Sequence, residues 1–407
     1  MHPLSARTAG HHQHGMLGRG RGGEAMTAAT VLHISFDFPS PLAAPHMTRA
    51  VERLVDSADG FRNIVYSMTR VGNLGREIAA LRYAPDRVAI AYRALPKGLG
   101  LRHAMARLVR WIAADLRDRG IAIDLIHAHK LTTDGIVASQ LAREFGVPYL
   151  CSIWGDADGW VWRGRPDLHG HWREIAASAH ALIATAPWAA ERFSKMLRLP
   201  LRAIAVLPVM GGVAEPTPSS VSSDRIVSLF HLAHWRRKGI SKLIPAMQEV
   251  AETGAGWHLD IVGGGNARSH LEVDRLIARA GARRQVRLLG PVPNGSVREL
   301  LGGSAMLALP SQQETFGMVF VEALFAGIPV LYPAGWAIDG YLPPDRIGYA
   351  CRADDPADIA AGLRHVMTNQ QALKESIARL QAEGALARFA PHSIALDYRR
   401  HLSAALG

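Results

Sequence analysis

Segments patterned as β-strands alternate with segments patterned as helices along almost the whole chain. That alternation constrains the fold to parallel sheets with helices packed on their faces. In the first half TVLHISF, the amphipathic stretch Leu101 to Leu116, DLIHAH, VPYLCSIW and HALIATA read as successive strands or helices. In the second half RIVSLFHLA, WHLDIVGGG, VRLLG and MLALP read as strands, separated by helical patterns such as ARSHLEVDRLIARAG and NGSVRELLGGS. Between the halves lies AEPTPSSVSSDR, rich in Pro and Ser, the best linker candidate. The 407 residues are enough for two full cores. The pattern predicts an α/β protein of two Rossmann-like, doubly wound domains facing a central cleft. The expected divisions are a disordered leader (1–25), a first domain (26–213), a linker (214–225), a second domain (226–390) and a terminal helix (391–407).

Composition narrows the class. An apolar fraction of 48% and a charged fraction of 20% describe an ordinary globular chain. No apolar run approaches the ~20 residues that span a bilayer; the longest, Val319 to Leu331, is interrupted by Glu322. Two distant cysteines, Cys151 and Cys351, argue against a disulfide framework and for a reducing cytoplasm. The leader lacks the apolar core of a signal peptide. Its His11, His12 and His14 read as disordered chain or as a weak metal tract, and Met26 is a candidate start. The net charge of +11, mostly arginine, favours anionic partners such as nucleotide phosphates or lipid head groups. No pattern points to nucleic acid.

The most chemically informative block is Leu307 to Leu331, LALPSQQETFGMVFVEALFAGIPVL. It reads as a strand (Met306 to Leu309), a polar loop, and a helix starting near Phe316 or Gly317 that Gly327 and Pro329 stop. Glu314 falls in the loop and Glu322 in the second helical turn. Both can face the region beyond the strand's carboxyl end, where open α/β sheets bind ligands. An ionised Glu322 inside VFVEALF is costly unless something pairs with it.

WHLDIVGGGN, VRLLGPV and LPSQQETFGMVFVEALFAGIPVL resemble, in order and spacing, the C-terminal domain of the retaining glycosyltransferases of family 4. DLIHAHK, GVPYLCSIWGDAD and ALIATAPWAAERF are similar to that family's N-terminal landmarks, so the resemblance covers nearly everything from Met26 onward. It implies a GT-B fold with the donor bound mainly by the second domain and a terminal helix that crosses back to the first. It implies a metal-independent, cofactor-free transfer from a UDP-sugar or GDP-sugar to a saccharide or polyprenyl-linked acceptor. Exopolysaccharide or lipopolysaccharide assembly is the expected setting, in the cytoplasm or on the cytoplasmic face of the inner membrane. A degenerate relative that binds a nucleotide sugar or a partner without turnover is the alternative.

By this resemblance Glu314 bonds a hydroxyl of the donor sugar and Glu322 the ribose hydroxyls. The unpaired backbone N–H groups of Phe316, Gly317, Met318 and Val319 make a ready diphosphate site, and Gly317 permits close approach. Lys238 in HLAHWRRKGI matches a loop that brings an arginine and a lysine to the diphosphate; Ala233 stands where the arginine would be. Arg236, Arg237 or His234 is then the substitute charge. Gly290 is placed near the base. SIWGDAD, with Asp156, aligns with a motif that usually begins with a histidine near the sugar, and here that position is Trp154.

Other residues leave two readings open. Gly263, Gly264 and Gly265 follow a strand, but Arg268 occupies the third glycine position of a dinucleotide fingerprint, which favours a tight turn. His46 sits near phosphates or acceptor, or caps a helix. His127 and His129 share one strand face, lining a cleft or packing in a core. Trp154, Trp160, Trp162 and Trp172 crowd one segment with Arg163 and Arg165, for acceptor recognition or for loop packing. The helix from Leu101 sets Met105, Leu108, Ile112 and Leu116 on one face and Arg102, Arg107, Arg110 and Arg117 largely off it. It is a core helix with a basic outer side, or it lies on an anionic membrane.

Overall fold

The computed structural model describes residues 28–43, 47–72, 78–95, 98–212, 215–251 and 256–407. The leader and His46 lie outside the described residues. Eight strands form the first sheet: β1 (Thr30–Ser35), β2 (Arg62–Arg70), β3 (Ile78–Ala84), β4 (Arg87–Tyr92), β5 (Leu125–Ala128), β6 (Tyr149–Ile153), β7 (Ala181–Ala184) and β8 (Ile204–Val206). Their order is β3-β4-β2-β1-β5-β6-β7-β8. Pairing is parallel throughout except between β3 and β4. β3 is a largely exposed edge strand joined to β4 by a tight turn, and neither is among the segments the sequence pattern gives.

Six parallel strands form the second sheet: β9 (Arg225–Leu229), β10 (His258–Val262), β11 (Val286–Gly290), β12 (Met306–Ala308), β13 (Val330–Pro333) and β14 (Gly348–Cys351). Their order is β11-β10-β9-β12-β13-β14. In each sheet the winding reverses beside its first strand: between β1 and β5, and between β9 and β12. These reversals leave a crevice outside the strand ends. The chain therefore has two Rossmann-like, doubly wound domains.

Helix Leu101–Asp118 buries Leu101, Met105, Leu108, Ile112 and Leu116 in the first domain's core, so its apolar face is already occupied. Among the described residues no helix is long and apolar enough to cross a membrane. The Pro/Ser-rich segment is stitched to the second domain: Thr217 N–H donates to Phe325 O (2.6 Å), and the buried Lys374 ammonium donates to Val221 O (2.5 Å) and Ser304 O (2.9 Å). The helix Pro391–Leu406 lays Ile394, Tyr398 and Leu402 against Val31, Leu125 and Leu150 of the first sheet. The side chains of Tyr341 and Trp188 bond the domains directly near the crevice. Tyr341 donates its hydroxyl to Thr185 O (2.8 Å), and Trp188 donates its indole N–H to the second domain.

Candidate active site

Lys238 and Glu314 arrive from loops on either side of the β9/β12 reversal. The Lys238 loop can come this close because of its neighbour. Gly239 has φ +73°, and a Cβ there would fall 1.9 Å from the carbonyl oxygen of Pro310. Only glycine tolerates both conditions. Gln312 N–H donates to Arg237 O (2.7 Å), zipping the two loops together. The Lys238 ammonium then bonds the Glu314 carboxylate, with 14% and 12% of the side chains exposed. Burial and the charges of Arg237 and Lys238 hold the neighbouring His234 below its ordinary pKa.

Arg237 turns toward the first domain, its guanidinium 3.6 Å from the Asp156 carboxylate. Arg236 turns the other way, to Glu272 (3.3 Å) and onto the Trp235 ring. Of the two arginines, Arg237 is therefore the one left beside Lys238 at the cleft, and Asp156 is its partner across it.

The helix carrying Glu322 spans Met318–Phe325, starting just after the expected position. Gly317 precedes it at φ +70°, where a Cβ would lie 2.5 Å from the Phe320 ring. The first N–H groups of this helix have no i−4 carbonyl within it, and the Phe320 N–H donates to Gly317 O (2.9 Å). Phe316 packs its ring against Tyr341 and Phe389, so only its backbone is left for a ligand; Val319 is half-buried against the core.

Met318 and Glu322 line a cavity of about 640 Å³ with Phe230, Gly263 and Pro291, flanked from the first domain by Arg53. Burial raises the Glu322 carboxyl above its ordinary pKa, and Arg53 opposes the shift. Gly263 is the tight turn expected of that run. Its N–H donates to Gly290 O (2.9 Å), and a Cβ would collide with Phe230 O at 1.7 Å. Gly290 supports this wall through its carbonyl, while Pro291 and Val292 border the cavity.

Sequence reasoning misses the role of Trp188, because its partners are backbone atoms distant in sequence. Its Nε1–H donates to Thr315 O (3.1 Å) and Ala337 O (3.2 Å), and the Ala337 N–H donates to Glu314 O (2.9 Å). Gly155 packs on that indole so closely that a Cβ would be 2.3 Å from Cη2. Asp158 was also missed. Fully buried, it accepts from Thr132 N–H (2.9 Å), Thr132 O–H (2.6 Å) and Trp154 N–H (3.1 Å), fixing the SIWGDAD turn.

The hydrogen bonds determine the tautomer of His129. Asn63 Nδ2 donates to Ala58 O (3.1 Å) and Phe61 O (3.3 Å), so its Oδ1 accepts from His33 Nε2–H (2.9 Å). Burial holds His33 neutral, with a pKa of about 4, and its bare Nδ1 therefore accepts from His129 Nε2–H (3.2 Å). His129 Nδ1 is left as an unpartnered lone pair. His129 borders a cavity of about 20 Å³ with Trp154 and Thr185, whose Nε1 and Oγ1 are likewise unpartnered. His127 is a core residue, held between Tyr398 Oη (2.7 Å) and Ser152 Oγ (2.9 Å). His33, His127 and His129 offer ligand atoms within 4.8 Å of one another, yet every ring nitrogen but His129 Nδ1 already has a hydrogen-bond partner. Trp162 and Trp172 stack in the interior (5.4 Å), which is loop packing, while Trp160 stands exposed.

Residues 218–383 match the family model of the glycosyl transferases group 1, and residues 43–209 match that of glycosyltransferase family 4. The chain is 26% identical over 287 residues to glycogen synthase of Mycobacterium tuberculosis, covering 67% of each chain. It is 30% identical over 149 residues to an uncharacterized glycosyltransferase of Methanocaldococcus jannaschii, a match spanning only 37% of either chain. In fold it is similar to sucrose-phosphate synthase from Thermosynechococcus elongatus, with TM-score 0.67, 19% identity, and 92% of this chain and 100% of that one covered. It is similar also to Anabaena HepE in complex with UDP-glucose, with TM-score 0.64, 17% identity, and 92% and 99% covered. With matching family models on both domains, the chain belongs to the family 4 glycosyltransferases of group 1.

Proposed function

We propose that this protein is a retaining glycosyltransferase that moves a sugar from a nucleotide diphosphate sugar to a saccharide or polyprenyl-linked saccharide, in exopolysaccharide or lipopolysaccharide assembly. The observation that carries the reading is the Lys238–Glu314 pair beside the cavity that Glu322 lines. Glu322 accepts hydrogen bonds from the ribose hydroxyls, which stabilise its charge in the buried setting. Glu314 orients a sugar hydroxyl. Lys238, Arg237 and the helix start from Phe316 to Val319 stabilise the diphosphate as it leaves. The acceptor oxygen bonds the anomeric carbon on the face from which the phosphate oxygen departs. That phosphate oxygen takes the acceptor's proton, so the chain supplies no base, and its cations do the work a metal does elsewhere. UDP in the related HepE structure supports a UDP-sugar as the first donor to try.

A donor screen tests the reading. UDP-, GDP- and ADP-sugars are assayed for thermal stabilisation, then for nucleotide release with a lipid extract as acceptor. The loss of the arginine at Ala233 favours one second reading, a protein that binds a nucleotide sugar without turnover. Binding with no release under any acceptor supports that second reading.

A further inference from the structure

A second groove, of about 590 Å³, runs along the seam between the domains on the far side of Trp188. Its aromatic lining comes from both domains: the buried Trp162 and Trp188 of the first reach it with little of their rings, and the half-buried Trp336 of the second, 4.5 Å from Trp188, is the more accessible. Its cations are Arg163, Arg192 and Lys195, against one carboxylate, Glu191. No ion pair holds any of these three cations among the described residues. Two of them lie instead over ring faces, Arg192 over Trp336 (5.3 Å) and Arg163 over the adjoining Trp160 (4.8 Å), which is 61% exposed. Burial and the nearby charge of Arg163 hold Arg192 below its ordinary pKa, so an anion entering the groove would relieve existing repulsion.

We propose that this groove is a binding site for the anionic segment of a glycan, a saccharide carrying carboxylate or phosphate groups. The aromatic surface left open by Trp336 and the adjoining Trp160 suits the apolar faces of pyranose rings. Guanidinium forks suit carboxylate and phosphate oxygens and need no lysine-like reorientation. Basic residues on a solvated surface usually find carboxylate partners or scatter; here they alternate with tryptophans along one concavity. Trp188 also joins the groove to the transfer centre, since the same indole holds the loop of Glu314 through Thr315 O. A chain lying in the groove therefore leads toward Glu314, which makes the groove an anchor for an acidic acceptor. That role rests on the glycosyltransferase reading; the binding itself does not.

The test is calorimetric titration of the intact protein with an oligogalacturonate, with a neutral maltooligosaccharide of equal length as control. The expected result is binding of the acidic oligomer at least tenfold tighter than the neutral one, reduced tenfold or more in R163Q/R192Q. The control variant R279Q/R284Q, beside the edge strand β11 of the second sheet, removes equal charge and is expected to bind as the parent does. Equal binding of both oligomers, or equal weakening in the two double variants, overturns the proposal. UDP titration of the same proteins separates the two readings. Acidic-oligomer binding without UDP binding leaves the groove and removes the transferase role, and the converse removes only the groove.

Discussion

The indole N–H of Trp188 in the first domain donates to the carbonyl of Thr315 in the second at 3.1 Å. The same N–H reaches Ala337 O at 3.2 Å, so one group from one domain fixes two strands of loop in the other. Glu314 lies between them in the network. Its position is therefore a property of the closed pair of domains and not of the second domain alone.

Replacing Trp188 with Phe removes this donor and leaves two carbonyls short of a partner. The expected cost is about 1–3 kcal/mol of stability, as for a buried polar group left unmade. Turnover should fall while UDP affinity stays within about threefold, because Glu322 is not touched. Chemical unfolding, nucleotide release and UDP titration check the three parts.

Lys238 and Glu314 act as a pair. Glu314→Gln keeps the shape but gives the lysine a weaker partner and removes a charged acceptor for a sugar hydroxyl. Turnover should drop on the order of 100-fold, the scale seen when one preorganised electrostatic group is lost. Lys238→Ala should drop it at least as far. An activity loss under about threefold in either variant would argue against the assigned roles.

Gly239→Ala isolates backbone from chemistry. The added methyl would meet Pro310 O at 1.9 Å, so the Lys238 loop must shift away from Glu314. A displacement of about 1 Å near reacting groups can reduce turnover on the order of 100-fold. Circular dichroism is expected to show the fold retained while nucleotide release is lost.

Glu322 sets a pH dependence with a definite sign. Its pKa in the folded protein lies above the ordinary 4.5, chiefly through burial. A carboxyl raised on folding favours the native state fully below the unfolded pKa. That contribution is lost as pH rises through the folded value. The ligand-free Glu322→Gln protein should therefore gain stability over the parent at pH 7.5 and show little difference at pH 4. UDP should bind the parent more weakly as pH falls toward the raised pKa, and bind the variant weakly at both. Denaturant unfolding and UDP titration at the two pH values check this.

Tyr398→Phe tests the return of the terminal helix. The hydroxyl bonds the buried His127 Nδ1 at 2.7 Å, and its loss should cost about 1–3 kcal/mol without changing UDP affinity.

Much of this arrangement was legible in the sequence, for reasons that differ by residue. Strand–helix alternation reported the two wound sheets because parallel pairing demands crossover helices. Glu322 stood out because a carboxylate in VFVEALF has no reason to be there as packing. The Lys238–Gly239 pair stood out for a reason the structure supplies, the glycine being required by Pro310 O. Period-two spacing put His127 and His129 on one face but could not choose between core and cleft, since that depends on Tyr398, far along the chain. Trp188 and Asp158 were illegible as functional groups because both act mainly on backbone atoms, which carry no residue-type signal. The β3–β4 hairpin is not among the segments the pattern gives: β3 lies largely exposed at the sheet edge, so burial does not dictate its residues.

The terminal helix against the first sheet has a mechanical meaning. The chain passes from the first domain to the second after Gly212 and returns before Pro391, so the domains are joined by two separate crossings. Bodies tethered at one point can swivel about any axis; bodies tethered at two are restricted to swinging about the line between them. Swinging about that line separates Arg53 from Glu322 and Asp156 from Arg237 together. A donor that draws one pair closed draws the other with it.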